Sequence, residues 1–372
     1  MKKLFKELKK YPVVIFFGIL LYTIAIMDLF SPVEERSELE NRELQSFPKF
    51  SLQQLFDNEY TPKIEDFTED HFIKRDSWIS LKSISESLLG KKENNGVVYG
   101  EDGYMFTKFV TTDYSQMEKN VGYINMFIER HSDRNITVML APTAPGIMTD
   151  KVLEGSPVID TDYILNYAEE NVTEGHFLNV QDTLKEHSDE YIYYRTDHHW
   201  TTLGAWYACD EYMQAVGKDE LKAMDGYTVT DVENFLGTHY SKAKNYNVQP
   251  DVLSYIESDA QIDIGGQVNS IYEKEKLDVR DKYAMFLRGN PGMATIKGNG
   301  TGKIMIIKDS YANCFVPFMV DSYEQIDIYD LRYITMGLDR LIEAADYDEI
   351  LFLYNCETFL SDKDLMKINM FN

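Results

Sequence analysis

The sequence is short of cysteine, of basic residues and of repeats. Its three cysteines, Cys209, Cys314 and Cys356, leave one without a partner and match no metal-knuckle spacing, so no disulfide scaffold is indicated. Lysine and arginine number 37 against 62 aspartates and glutamates, which gives a net charge of −25. Because phosphate binding requires a basic footprint, this charge argues strongly against a nucleic-acid partner. We find neither an internal repeat nor a low-complexity tract.

The chain does contain enough apolar and aromatic residues for a packed core. It has 372 residues, of which 26 are tyrosine and 20 are phenylalanine. This length suits one large domain or two ordinary ones, and the composition is not that of a disordered protein.

The first thirty residues have the pattern of a membrane anchor. Residues 1–10 are rich in lysine, and residues 11–30 carry no charge except Asp28. About 20 apolar residues cross a bilayer as a helix. Since lysines precede the segment and acids follow it, the pattern predicts a single-pass protein of the cell membrane with a cytoplasmic N-terminus and an extracellular main domain. A cleaved signal peptide is the alternative, but residues 28–32 lack the usual small residues of a cleavage site. A buried core helix fits the charge asymmetry least.

Three further divisions are predicted along the chain. Residues 31–95 are charged, interrupted by prolines and able to form two short helices, so we expect an extracytoplasmic stalk that packs on the main domain. Residues 96–372 are expected to form that main domain. Within it the hydrophobic pattern weakens at about 218–300, which indicates an insertion or lid.

The main domain alternates helices with short apolar strands. An Asp-Gly pair within residues 97–106 predicts a hairpin, and apolar residues from Met117 to Ile128 recur at helical spacing. Strands are predicted at 136–141, 177–180, 191–194, 303–308, 325–329 and 349–354. This alternation is typical of a layered α/β domain with a largely parallel sheet.

Two segments contain candidate catalytic side chains. Asp197, His198 and His199 follow the strand-like run at 191–194 and precede a predicted helix, and the strand at 303–308 runs straight into Asp309 and Ser310. A serine hydroxyl needs a base before it can act as a nucleophile, and a histidine oriented by a carboxylate is the recurrent solution. We therefore expect Ser310 as nucleophile, His199 as base and Asp197 as its orienting acid, meeting at the carboxyl ends of the strands.

Each of these residues also has a structural interpretation. Ser310 fits a helix N-cap, which by local pattern alone is the commoner role of such a serine. Asp197 also fits a cap, His199 fits a hydrogen-bonded interior histidine, and Trp200 fits either a core side chain or a platform for a sugar. A metal site formed by residues 197–199 with His239 is less favoured, because their spacing is not that of a known metal motif.

The segment Thr196-Asp197-His198-His199-Trp200-Thr201 resembles the motif that names the bacterial DHHW proteins. These are similar to the SGNH-hydrolase-like proteins that O-acetylate alginate and other envelope polysaccharides. Further segments that fit are Glu40-Asn41-Arg42, Phe47-Pro48, Gly100 to Tyr104, Phe235 to Lys242 and Lys308 to Tyr311.

The resemblance implies a three-layer α/β/α domain with Asp197, His199 and Ser310 as the catalytic residues and with no metal or organic cofactor. It also implies a cell-envelope polysaccharide as acceptor and a membrane-bound O-acyltransferase as acetyl donor. A carbohydrate esterase with the same site, and a non-catalytic glycan-binding or assembly factor of polysaccharide export, remain the alternatives.

The sequence departs from ordinary SGNH hydrolases in its order of motifs. The serine comes last, and Lys308 stands where those enzymes have glycine. For the oxyanion we expect Asn290, which follows Gly289, together with the backbone amides of Ser310 and Tyr311. For substrate binding we expect Trp200 and Arg195. Arg195 and Arg332 are able to hold a charged glycan, although an ion pair of Arg332 with Asp330 is the more ordinary role.

Overall fold

The computed structural model describes residues 11–37, 40, 42–111, 113–244 and 248–370. These residues form two compact units. The N-terminal unit runs to Lys91 and includes Lys244, and the main unit comprises the remaining residues from Lys92 onward. The predicted basic tail at 1–10, and Asn41 of the resembling segments, lie outside the described residues.

The N-terminal unit consists of helices and one small strand pair. Its elements are α1 (Pro12–Leu29), α2 (Leu52–Phe56), α3 (Tyr60–Asp70), α4 (Arg75–Leu88), β1 (Arg36–Ser37) and β2 (Arg42–Glu43). Ser51 begins α2 by accepting the Gln54 N–H, and Gly90 follows α4 at a positive φ of 81°, which glycine adopts without steric cost. Among the helices that the structure describes, none combines the length and the apolar character needed to cross a membrane.

This unit has few buried side chains and several ion pairs. Across α2, α3 and α4 the only buried residue is Ser83. The Glu40 carboxylate lies 2.6 Å from Arg42 Nε and 2.9 Å from Arg75 Nη2, and it also pairs with Lys244. Arg42 binds Asp70 through two further hydrogen bonds, which lower the pKa of Asp70 to about 2.

The main unit contains the remaining helices and strands. Its helices are α5 (Ser115–Arg130), α6 (Ala144–Ile147), α7 (Thr161–Asn171), α8 (Gln181–Glu186), α9 (Thr202–Ala215), α10 (Thr238–Ala243), α11 (Ala312–Phe315), α12 (Asp339–Ala345) and α13 (Cys356–Ser361). Its strands are β3 (Glu93–Asn94), β4 (Val97–Tyr99), β5 (Met105–Thr107), β6 (Asn135–Ala141), β7 (Phe177–Leu178), β8 (Val229–Phe235), β9 (Asp251–Ile256), β10 (Gln261–Ile264), β11 (Gln267–Ser270), β12 (Met293–Lys297), β13 (Lys303–Lys308), β14 (Gln325–Tyr329) and β15 (Glu349–Asn355). Short 3-10 turns connect several of them.

One sheet of eight strands organises the main unit, in the order β11-β10-β12-β14-β13-β15-β6-β7. The strands β14, β13, β15, β6 and β7 are parallel to one another, and β12, β10 and β11 continue the sheet antiparallel at one edge. The chain therefore has a mixed α/β fold with a large, mostly parallel sheet.

Both faces of this sheet are covered by helices. Successive residues of β13 point to opposite faces, so Ile304 and Ile306 belong to one apolar core with α9, whereas Met305 and Ile307 belong to another with α5, α7 and α13. A strand buried on both faces explains why the run at 303–308 is apolar without alternation. The layers are thus helix, sheet and helix.

The predicted strand at 191–194 is wrong. This run forms a single isolated bridge, between Tyr193 and Trp200. The chain folds back on itself after Tyr194, and its backbone bonds to its own loop through Thr201 N–H to Ile192 O at 2.8 Å. Tyr193 and Tyr194 have no exposed surface, so the aromatic run reflects burial in the core rather than membership of the sheet.

The segment at 218–300, expected as an insertion or lid, continues the main sheet through β10, β11 and β12. Its first half forms the antiparallel ribbon of β8 and β9 with α10 between them. The sequence shows little sign of β10 and β11, because their buried and exposed positions do not alternate regularly.

Candidate active site

Ser310 lies in a tight turn at the carboxyl end of β13, two residues before α11 begins at Ala312. The preceding residue, Asp309, accepts the Tyr311 N–H at 2.8 Å and the Asn355 N–H at 2.7 Å and Nδ2 at 2.6 Å. Asn355 ends the neighbouring strand β15 and caps α13 through Thr358 N–H. The turn is therefore fixed to the carboxyl edge of the sheet, with Ser310 partly exposed.

The loop that carries Asp197 and His199 is held by one buried carboxylate. Asp251, which has no exposed surface, accepts hydrogen bonds from the Arg195 N–H (3.0 Å), the Thr196 N–H (2.8 Å), the Thr196 hydroxyl (2.6 Å) and the Tyr191 hydroxyl (2.5 Å). Beyond this loop, Thr201 caps α9 by accepting the Gly204 N–H. These contacts fix the backbone on both sides of residues 197–199.

The structure brings Asp197, His199 and Ser310 into one hydrogen-bonded series. His199 Nδ1 lies 2.5 Å from Asp197 Oδ1, and His199 Nε2 lies 2.8 Å from Ser310 Oγ. Because a carboxylate can only accept, Nδ1 carries the proton and Nε2 is left to accept the serine proton. Asp197 and His199 are 3% and 5% exposed, so the series is shielded from water except at the serine. This arrangement is able to generate a serine nucleophile.

Asp197 is kept ionised by its surroundings. Burial raises its pKa, but the imidazoles of His198 and His199, the His199 hydrogen bond and the Thr238 N–H together hold that pKa well below its usual value. Thr238 N–H donates to Asp197 Oδ2 at 2.7 Å. Gly237 makes this approach possible, since a Cβ there would lie 2.3 Å from both Cβ and Oδ2 of Asp197.

Tyr283 packs flat on the imidazole of His199. Their ring centroids are 3.8 Å apart and their planes differ by 12°. The Tyr283 hydroxyl also donates to the backbone oxygen of Ser310 at 3.2 Å. Tyr283 thus holds the imidazole plane in place and touches both halves of the series.

Two reciprocal hydrogen bonds join the distant halves of the site. Trp200 Nε1 donates to Tyr311 O at 3.0 Å, and the Tyr311 hydroxyl donates to His198 O. Both side chains have no exposed surface. Of the two interpretations of Trp200, the core side chain is the one observed, and it offers no face to a sugar. Likewise the Tyr311 N–H, expected to bind an oxyanion, is already used by Asp309.

The other expected oxyanion donors are placed differently. None of the hydrogen bonds between described residues uses the Ser310 N–H, which leaves it open to a ligand. Asn290 is partly exposed and accepts at Oδ1 from Lys308 Nζ (3.2 Å) and Asn313 Nδ2 (3.1 Å). Lys308, the departure from the SGNH pattern, is a buried part of this site.

The two expected arginines are both engaged within the protein. Arg332 forms two hydrogen bonds to Asp330, at 2.8 Å and 2.6 Å, as expected for an ordinary ion pair. Arg195 lies over the rings of Tyr104 and Tyr191, with 29% of its side chain exposed. Only part of Arg195 therefore remains available to a substrate.

A metal is the other ligand that this cluster could hold. Among the described residues, Asp197, His198 and His199 offer three ligand atoms within 4.8 Å of one another. Both ring nitrogens of His199 are already engaged, however, by Asp197 and by Ser310. His239 bonds Thr107 at 3.1 Å through Nε2. Burial lowers the pKa of His239 to about 3, so it stays neutral. The geometry thus fits the serine series better than a metal centre.

Several residues of the site carried no recognisable sequence signal. Asp251 and Tyr283 lie in segments without a motif, and their contacts arise only from tertiary packing. Gly237 and Thr238 lie in the segment from Phe235 to Lys242 that resembles the family, but the resemblance assigned no role to either residue.

Comparison with known proteins finds several solved structures that are similar to this chain. A DHHW family protein from Eubacterium siraeum matches with a TM-score of 0.65 and 25% identity, over 75% of this chain and 97% of that one. Bacillus cereus PatB1 with a sulfonyl adduct matches with a TM-score of 0.61 and 18% identity, over 74% and 100%. The O-acetyltransferase domain of Pseudomonas putida AlgJ gives a TM-score of 0.47 and 13% identity, over 72% and 93%.

No curated protein sequence matches the chain. The family model described as DHHW protein matches residues 96–329, which include both halves of the site. The chain therefore belongs to the DHHW family.

Proposed function

We propose that the chain is an extracytoplasmic serine acyltransferase of SGNH type that O-acetylates a cell-envelope polysaccharide. The observation that carries the proposal is the series of hydrogen bonds from Asp197 through His199 to Ser310. A helix-capping serine or a structural histidine would not need a buried acid and a base aligned on one partly exposed hydroxyl.

In the first step, Ser310 Oγ attacks the carbonyl carbon of an acetyl donor, and His199 Nε2 takes the serine proton. The tetrahedral oxyanion is bound by the Ser310 N–H and by Asn290. Its collapse expels the donor's leaving group, which receives the proton from His199, and an acetyl-serine ester remains.

In the second step, a polysaccharide hydroxyl gives its proton to His199 and attacks the acetyl-serine carbonyl. Collapse of this intermediate returns the proton to Ser310 and releases the acetylated sugar. Asp197 stays ionised throughout and balances the imidazolium charge. Water in place of the sugar would give hydrolysis, so an esterase uses the same residues.

A fluorophosphonate probe tests the proposal on the full-length chain. We expect covalent labelling of the wild type, none of Ser310→Ala, labelling of His199→Ala slowed by about 10³-fold or more, and a weaker loss in Asp197→Asn. Ser361→Ala, at an exposed serine at the end of α13, is the matched control and should label normally. Equal labelling of wild type and Ser310→Ala would refute Ser310 as the nucleophile, and labelling of neither would favour a glycan-binding role.

Transfer is separated from hydrolysis by the fate of the acetyl group. The chain is acetylated with a chromogenic acetyl ester and then given oligosaccharide acceptors in water. Acetylated sugar identifies a transferase, whereas acetate alone identifies an esterase. The resemblance to polysaccharide-acetylating proteins supports the first outcome and also supports a membrane-bound O-acyltransferase as donor.

The membrane anchor remains part of the proposal. Its support is the lysine-rich stretch at 1–10, the nearly uncharged segment at 11–30 and the exposed apolar side chains of α1, such as Val13 at 76%. We expect the full chain to stay with membranes after an alkaline carbonate wash, and a chain lacking residues 1–30 to be released. Release of both would remove the anchor and leave the catalytic proposal intact.

A further inference from the structure

Lys308 is buried in an unusual way for a lysine. It lies two residues before Ser310 at the end of β13 and is 1% exposed. Among the described residues, no carboxylate lies within ion-pair distance of its ammonium, which instead donates to the amide oxygens of Asn313 (2.6 Å) and Asn290 (3.2 Å). Burial of an ammonium without a carboxylate disfavours folding. Stability therefore does not account for Lys308.

These contacts determine which way the Asn290 amide points. Lys308 Nζ can only donate, so the atom of Asn313 that it meets is Oδ1, and Nδ2 of Asn313 is a donor. That Nδ2 donates to Asn290 at 3.1 Å and to Gly289 O at 3.2 Å. The atom of Asn290 that meets both donors must be its oxygen. Its amide hydrogens consequently point away from Lys308 and Asn313.

The backbone before Asn290 is held in a strained shape. Leu287, Arg288 and Gly289 have φ values of 50°, 59° and 87°, so three successive residues lie in the left-handed region, and two of them are not glycine. Such strain persists only where the surrounding structure enforces it, and it is common at functional sites. The bond from Asn313 to Gly289 O is one such constraint.

We propose that Lys308 is a positioning residue, which through Asn313 fixes Asn290 so that its amide hydrogens face the oxyanion on the Ser310 acyl adduct. This inference rests on the proposed acyl transfer. A donor aimed in advance stabilises the transition state more than one that must reorient. Lys308 itself does not contact the reacting atoms.

The charges around Lys308 predict an alkaline limit to its action. Burial lowers its pKa to about 8, Asp330 and Asp309 oppose this shift, and Arg332 adds to it. As pH rises through this value the ammonium loses a proton. Its hydrogen bonds to the Asn290 and Asn313 side chains then weaken, and turnover should fall. An unfolded lysine keeps its proton to higher pH, so the folded state gains stability over the same range. Turnover and stability should thus move in opposite directions.

A double-mutant cycle on acetyl-ester hydrolysis by the full-length chain tests the inference. We expect Asn290→Ala to lower kcat by about 10²-fold and Lys308→Met by about 10-fold, with KM nearly unchanged. Because Lys308 acts through Asn290, the double variant should be no slower than Asn290→Ala. Lys308→Met should also lose the alkaline limb near pH 8. Lys303→Met, at the other end of β13, is the matched control and should match the wild type.

Additive losses in the double variant, or an unchanged kcat in Lys308→Met, would overturn the inference while leaving the acyl-transfer proposal standing. A wild type without Ser310-dependent turnover would overturn both. If Lys308→Met does not fold, as judged by circular dichroism, Asn313→Leu takes its place in the cycle, and its loss should likewise vanish in the Asn290→Ala background.

Discussion

The two halves of the candidate site are built on different supports. The Ser310 turn is held by neighbouring strand ends, through Asp309 and Asn355. The loop with Asp197 and His199 takes its support from Asp251, Thr238 and Tyr283, which all lie in the segment 218–300. The parallel sheet thus positions the hydroxyl, whereas the segment 218–300 positions the acid and the base. Changes to that segment should therefore damage the chemistry more than changes at the strand ends.

The largest effect is expected from Gly237→Ala. The new Cβ would lie 2.3 Å from Asp197 Cβ, so the carboxylate must move and His199 loses its orientation. A misplacement of about 1 Å can cost about 10²-fold in rate, and we expect a loss of this size in fluorophosphonate labelling. Gly226→Ala, where a Cβ meets only Lys222 at 3.4 Å, is the control. Normal labelling of Gly237→Ala would show that Asp197 does not need this approach.

An intermediate effect is expected from Asp251→Asn. One amide oxygen cannot accept all the hydrogen bonds that the carboxylate receives, and the amide hydrogens would face buried donors. We expect a loss of about 1–3 kcal/mol in the free energy of unfolding and about 10-fold slower labelling. Asp231→Asn, on the same ribbon but at an exposed aspartate bonded to Ser254, should change neither. Equal behaviour of the two variants would remove Asp251 as the support of the loop.

The smallest effect is expected from Asn355→Ala. The substitution removes the cap of α13 and one hydrogen bond to Asp309. The Asp309 carboxylate still accepts hydrogen bonds from the backbone N–H groups of Tyr311 and of residue 355. We expect a loss of about 1 kcal/mol in stability and only a few-fold decrease in labelling. Asn179→Ala, at the start of α8, removes a similar bond to the Gln181 N–H, makes no hydrogen bond to the Ser310 turn and should leave labelling unchanged. A larger loss of labelling than in Asp251→Asn would reverse the comparison.

The parts of the fold that were predictable from sequence are those with strong local patterns. The helix with Met117 and Ile128 was confirmed as α5, the strand at 303–308 as β13, and the Asp-Gly hairpin as β4 and β5. In each case a regular apolar period or a turn dipeptide fixes the local conformation. The run at 191–194 failed because buried aromatic residues outside a sheet have the same composition as a strand.

The site was predictable only in its reacting groups. For histidine, aspartate and serine next to predicted loops, the residue type alone suggests a catalytic role. Asp251 and Tyr283 act through position alone, and that position depends on contacts with distant parts of the chain. The same holds for the Tyr311 N–H, which Asp309 occupies although nothing in the local sequence requires it.

The hydrogen bond between Trp200 and Tyr311 has a kinetic consequence. It joins residues 111 positions apart, as does the bond between His199 and Ser310. Contacts of such long range form late, because closing a large loop costs conformational entropy before the contacts can stabilise the chain. During refolding, helical signal should therefore return before reactivity towards the probe. Ser310 is therefore unreactive until the tertiary structure is complete.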